Sequence, residues 1–363
     1  MKNYNKQLYL LVLCLLCLQP LFSKENSNSD STKNHKISAI IFPTRNPLNG
    51  WAIQFGGIDL FKTNPQDTLL RSSDLFAFLF FSQYKQYNIF LGCDLFLPNE
   101  KYYMRGETSF SYFPESYFSL FSDNDPDSSE LIDYKINHIY VNTLRKIRNN
   151  LFAGISFNYN RTYDFHFSDD GYFIQDHYAE YEGENIIGVG ALIKYDSRDN
   201  LIWANHGKLF ETSYQTFRKN EDGISTFTKY FIDYRQFFEL NPRLYHVLGF
   251  QVYYEHASEN TSFRYLPHNH LRSFHPNLFK NYNSFIARAE FRFKVYRAIY
   301  LASFGGTALT FSDFSAIKDE KLRLCIGPGL RLKLRKDEPL FLGVDYGISK
   351  VSRNLYVTLS SLF

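Results

Sequence analysis

The sequence predicts an all-β fold, a transmembrane antiparallel β-barrel of about 16 strands, and three observations point to it. From Ala287 to Val295 the chain alternates without a fault, with Ala287, Ala289, Phe291, Phe293 and Val295 on one side and Arg288, Glu290, Arg292 and Lys294 on the other. A period of two places those sets on opposite faces of a strand. The pattern returns with Leu322, Leu324, Ile326, Leu330, Leu332 and Leu334 against Arg323, Arg331, Lys333 and Arg335, and the chain closes on Phe363 at the end of another such strand. A leading export signal completes the case for a barrel of the bacterial outer membrane, apolar outside and charged within.

The signal is expected at residues 1–23. Leu8 to Phe22 is apolar, follows Lys2 and Lys6, and ends at Ser23 ahead of a polar run from Lys24 to His35. That apolar stretch is short for a membrane-spanning helix, which argues against a retained anchor. Cys14 and Cys17 lie inside it without the small residues that precede a lipid-modified cysteine, which argues against a lipoprotein. Removing the two lysines takes the formal charge from +3 to +1 (3 − 2 = 1), a balance that attracts no nucleic acid. The layout is then a signal peptide at 1–23, a short polar segment at 24–35 and a barrel domain at 36–363.

Composition agrees with a membrane barrel. The aromatic share of 18%, with 37 Phe and 28 Tyr, suits the girdles at the two interfaces. A mean hydropathy of −0.33 is no objection, because every second residue of such a strand faces a wet lumen. Cys93 and Cys325 point to opposite faces by parity, so no disulfide is expected between them.

Candidate strands fall near residues 36–43, 50–61, 73–83, 86–97, 101–113, 131–146, 150–163 and 186–197, then 207–217, 226–239, 243–256, 284–296, 298–310, 321–334, 339–348 and 353–363. The connections sort by length. With both termini periplasmic, the turns at Leu97–Lys101, Lys146–Asn150, Leu240–Arg243, Val295–Ala298 and Arg335–Pro339 share one side. The long segments Pro114–Glu130, Ser168–Asn185, Phe217–Thr226, Ala257–Asn283 and Phe311–Lys321 share the other, as outer-membrane barrels require. This puts Asn269 within reach from outside the cell. A soluble β-sandwich is the rival, but many of these runs reach about ten residues, the length a tilted strand needs to cross a bilayer. The two faces of the apolar run Leu75 to Phe81 cannot be told apart from sequence.

The segment Gly188 to Glu211 narrows the reading. Gly188, Gly190, Tyr195, Asp196, Ser197, Arg198, Asp199, Asn200 and Gly207 match a glycine-spaced strand that runs into Y-D-S-R-D-N, with a later glycine restarting the chain. Asp196 and Arg198 share a face and can pair near the periplasmic rim, and Asn200 and Gly207 suit a turn. The segment resembles the BamA/TamA superfamily, also called the bacterial surface antigen family. Leu271, Arg272 and Phe274 stand where the family has V-R-G-F, and Ala289, Glu290, Phe291 and Arg292 resemble its E-Y-R strand. Leu342 to Gly347 resembles its L-D-Y-G strand, and Phe363 its carboxyl-terminal assembly signal, from which Ser361 departs.

The resemblance implies that the loop Arg folds into the lumen to meet an Asp. Here Ser273 replaces the motif glycine and Phe304 stands at the Asp position, so Arg272 either finds another partner such as Glu290 or stays out of the lumen. It further implies contact with outer-membrane lipids and delivery by the barrel assembly machinery. The family's insertases and translocases carry periplasmic POTRA domains, which this sequence is expected to lack. The function expected is help in inserting or translocating proteins or lipids at the outer membrane. The alternative is a pore-forming or structural surface protein without insertase activity.

Other candidate sites read as ordinary. His268, His270 and His275 share a loop without zinc spacing or a nearby cysteine or carboxylate, and are expected to be solvated. Asp169, Asp170, Asp176 and Glu180 lack calcium-loop order. Arg288, Arg292, Lys294, Arg323, Arg331 and Lys333 can line an anion-favouring wall, although Glu290, Asp196, Asp233 and Glu239 also point inward and can neutralise it. No nucleophile, G-x-S-x-G or H-E-x-x-H frame appears, so no enzyme, cofactor or metal is expected.

Overall fold

The computed structural model describes residues 35–359 apart from 68–69, 120–128, 176–182, 202, 222 and 335–339. The signal segment, the turn at 335–339, Asp176, Glu180, Ser361 and Phe363 lie outside the described residues. Seventeen strands follow in chain order. They are β1 (Lys36–Asn46), β2 (Gly50–Phe61), β3 (Ser73–Ser82), β4 (Tyr87–Phe96), β5 (Tyr102–Tyr112), β6 (Glu115–Phe118), β7 (Ser129–Arg148) and β8 (Leu151–His166). Then come β9 (Glu184–Asp196), β10 (Gly207–Glu221), β11 (Gly223–Asn241), β12 (His246–Ala257), β13 (Asn283–Tyr296), β14 (Ile299–Phe311), β15 (Arg323–Lys333), β16 (Phe341–Ile348) and β17 (Arg353–Leu359).

Sixteen of these form a closed antiparallel barrel, each strand pairing with its chain neighbours and β17 returning to β1. The exception is β6, which pairs only with the outer end of β7 and lets β5 pair with β7 directly. Sequence patterning missed β6 because four residues are too few to show a period. The segment Phe217–Thr226, read as a loop, is instead the end of a long hairpin in which β10 and β11 stay paired to Glu221 and Gly223. The wall is uneven: β7 has 20 residues and β11 has 19, whereas β16 has 8, and β17 is described as far as Leu359.

Parity sorts the faces as alternation demands. Ile155, Val189, Tyr214, Leu324 and Ile326 stand exposed on the outer surface, while Glu290, Arg292, Arg331 and Asp345 are buried inside. Tyr102, Tyr245 and Tyr296 stand exposed near the short turns at one end of the barrel, where amphipathic rings match an interface. Leu75 and Phe81 face outward and Phe80 inward, which settles the run that sequence left undecided. The lumen is not uniformly charged. On β1–β4 its lining is aromatic, with Phe42 against Phe78 and Phe76 against Phe90 at ring distances of 6.3 and 5.3 Å.

Candidate functional site

The connection between β12 and β13 turns inward and docks against the inner wall. Leu271, Phe274, Leu278 and Phe279 are buried and pack on Ile286, Ala308 and Cys325, three lumen-facing residues of β13, β14 and β15. Such a loop cannot enter the lumen without satisfying its charges and backbone. Arg272 does so with two acids, Glu290 on β13 at 2.7 Å and Asp345 on β16 at 3.3 Å. Arg331 on β15 bridges the same two acids, reaching Glu290 at 3.1 Å and gripping both oxygens of Asp345. Two cations and two anions thus form a closed, neutral cluster. Phe304 offers its ring face to the Arg272 guanidinium at 4.6 Å, so this position holds the cation through its π-system rather than through a carboxylate. Burial alone would push Arg272 down; Glu290 and Asp345 outweigh it and hold the guanidinium above its ordinary value.

The neighbouring backbone is strained and held in place. Ser273 has φ +133°, a conformation that favours glycine, and its side chain is fully buried. Its N–H donates to Tyr356 Oη at 2.9 Å, and its carbonyl accepts from Ser352 Oγ and Asn354 Nδ2. Tyr356 also donates to the Phe274 carbonyl at 3.2 Å. The loop tip is therefore tied to the start of β17. Gly347 on β16 leaves it the room, because a Cβ there would meet the Arg272 carbonyl oxygen at 2.5 Å.

A second inward turn, residues 197–206, carries the Y-D-S-R-D-N segment at the periplasmic end. Arg198 binds Asp196 through two bonds of 2.9 and 2.8 Å, which holds its guanidinium above the ordinary value despite burial. Asp199 accepts from the Asn205 and His206 amides at 2.8 and 3.1 Å, and Asn200 accepts from the Trp203 amide at 2.8 Å. Gly207 closes the turn at φ +97°, where a Cβ would lie 2.2 Å from the Ser197 carbonyl oxygen. These bonds aim Trp203 into the lumen. It stacks on Phe341 at 3.7 Å, and Arg292 lies over its ring at 3.8 Å while donating to the Ala204 carbonyl. On the far side of the floor, Leu70 packs on Phe96, Tyr103, Leu144, Phe152 and Leu192.

No known family model matches the sequence, and no curated protein does. Among solved structures, BamA from Haemophilus ducreyi lacking POTRA domains 1–3 superposes with a TM-score of 0.57 at 9% identity, over 93% of this chain and 74% of that one. The fold is that of the BamA barrel. CdiB from Escherichia coli gives 0.57 at 10% identity, over 88% of this chain and 62% of that one. CdiB from Acinetobacter baumannii gives 0.55 at 9% identity, over 90% and 60%. The chain thus spans about three quarters of the BamA structure and about three fifths of the CdiB structures. Its fold is a barrel similar to those of BamA and CdiB.

The sequence-predicted residues divide between the two inward turns. Arg272, Phe274 and Glu290 meet at the loop dock, Asp196, Arg198, Asp199, Gly207 and Arg292 at the floor, and Phe363 lies outside the described residues. Sequence reasoning missed Asp345, Tyr356 and Phe341, whose roles exist only once distant strands close the barrel. Trp203 carried one signal, as one of two tryptophans in the chain.

Two expectations need correcting. Two of the three loop histidines are not freely solvated: His268 and His275 are partly covered, and surrounding protein holds both below the ordinary imidazole value, His275 at about 4, whereas His270 is exposed. Asn269, expected to be reachable from outside, is 1% exposed. Of the two readings left open for the inward basic residues, mutual neutralisation is the one the described contacts favour. Arg331 is neutralised, Arg292 is stacked, and Arg288 donates to Gln251 at 2.6 Å.

Proposed function

We propose that this barrel helps to insert or move proteins or lipids at the outer membrane, with no chemistry of its own, and that it acts through its wall rather than an open bore. The carrying observation is the seam. Among the described residues β17 meets β1 at one register pair, Arg45 with Val357, whereas β1 pairs with β2 along its whole length. The wall where the first and last strands of a barrel meet is where it can part without breaking a hairpin. The loop tip holds β17 from inside, and the lumen face of β1–β4 beside the seam is aromatic, a surface suited to apolar cargo. The docked loop and the inward turn carrying Trp203 fill part of the lumen, which favours this reading over a pore. Delivery of the chain by the barrel assembly machinery belongs to the same reading.

A cysteine pair at Arg45 and Val357 tests it. Purified full-length protein in liposomes should speed the folding of a urea-denatured outer-membrane barrel several-fold, lose that effect when the pair is oxidised and regain it on reduction. Absence of any acceleration by the reduced protein, together with large steady conductance, would replace this reading with the pore.

A further inference from the structure

The half of the lumen that the loop tip leaves open holds a chamber of about 460 Å³, within the usual range for a small-ligand site. One wall is a polar row across three strands. Ser109 on β5 lies opposite His138 on β7, and His138 lies opposite Asn160 on β8, with Asn158 two residues further along β8. Neighbouring strands place such groups about 4.8 Å apart, so the row presents hydrogen-bonding side chains over about 10 Å. Asn158 gives its carbonyl to Tyr265 Oη at 2.9 Å, and Asn160 gives its carbonyl to Thr162 Oγ1 at 3.1 Å. The amide NH₂ of each has no protein partner among the described residues, and neither does the Ser109 hydroxyl. These donors line open space.

Loop residues line the rest of the chamber: Tyr265 adds aromatic surface beside the polar row, and Arg264, lying over the Tyr134 ring at 4.7 Å, and Lys280 bring positive charge that the Glu115 carboxylate offsets. A ladder of donors beside an aromatic ring fits a molecule with hydroxyls on one side and C–H bonds on the other, the two-faced character of a sugar ring. The chamber reaches the β1–β2 turn at Leu48, and the cluster around Leu70 packs at the other end of the barrel.

We infer that this chamber binds a short oligosaccharide, entering from the outer face, with Ser109, Asn158 and Asn160 as donors to its hydroxyls. The inference is independent of the seam, since none of these residues lies on β1 or β17. The probes are the core oligosaccharide freed by mild acid from a bacterial outer-membrane glycolipid, and the intact glycolipid in mixed micelles. Titration calorimetry and saturation-transfer NMR on the full chain in detergent read the binding. The freed oligosaccharide should bind, and the paired change Asn158→Asp with Asn160→Asp, which keeps both carbonyl acceptors and removes both donors, should weaken it at least about tenfold. Ser109→Ala, which removes no protein hydrogen bond, should weaken it a few-fold, with the folded band on unheated gels unchanged in both variants. Binding of the intact glycolipid as well identifies a lipid-borne sugar as the source; binding of the freed form alone identifies a soluble one. No binding of either at millimolar concentration, or binding that neither variant weakens, overturns the inference.

Discussion

The two halves of the lumen solve the same problem in opposite ways. Along β13–β17, inward charges are spent on one another and on the docked loop: Arg272, Arg331, Glu290 and Asp345 neutralise each other behind a buried apolar cluster. Along β5–β8, Ser109, His138, Asn158 and Asn160 face open space. Lower on that side a recess of about 150 Å³ is lined by charges that pair locally, Arg105 with Glu107 and Lys194 with Glu211 at 3.2 Å. One half is built as structure, the other as a cavity with walls. Substitutions should therefore cost stability in the first half and leave it unchanged in the second.

The largest effect is expected at Glu290, which is fully buried and takes both arginines on one oxygen. Glu290→Ala leaves two buried cations with a single acid and should cost about 3–5 kcal/mol, read as loss of the compact band on unheated gels. Trp203→Ala removes the floor stack and should cost about 3 kcal/mol, with protease reaching the 197–206 turn in the purified protein. Arg272→Ala should cost about 2–3 kcal/mol, at or below the low end for a broken buried pair, because Arg331 still serves both acids. A silent Arg272→Ala would show that Arg331 alone sets the cluster, and would erase the contrast between the halves.

Much of this was legible in the sequence, because a period of two is imposed on every strand that separates lipid from a polar interior. The sixteen barrel strands follow from that rule; the connections do not sort cleanly by length, since β1–β2 and β10–β11 turn tightly at the end where long loops were expected. The partners of Arg272 do not, because Asp345 lies 73 positions along the chain and comes near only when β16 enters the barrel (345 − 272 = 73). Resemblance directed attention to position 304 for a carboxylate, and the chain supplies a ring there and the acid from another strand. The polar row Ser109, His138 and Asn160 was equally hidden, since strand register rather than spacing lines it up.

The smallest effects concern the loop itself. His275 Nδ1 accepts the Asn277 amide at 3.2 Å, so the docked loop needs it neutral, and burial holds it down at about 4, with Glu115 opposing that shift and Lys280 adding to it. A depressed imidazole favours the docked state above the ordinary value near 6.5, and that contribution should fade as pH drops from about 6.5 to about 4. Protease nicking at Glu259 and Asn260, both exposed, should rise modestly over that window. Asn260→Cys should react with an impermeant maleimide on intact cells, whereas Asn269→Cys, buried in the lumen, should not. Labelling at 260 only after the outer membrane is broken would reverse the topology.

Single-channel recording in planar bilayers tests the central claim most directly, that the docked loop and the Trp203 floor occupy the lumen. The native chain should be silent or show only brief, small openings, and removal of residues 262–280 together with Trp203→Ala should produce a large steady conductance. A large steady pore in the native chain, unchanged by those alterations, would contradict it.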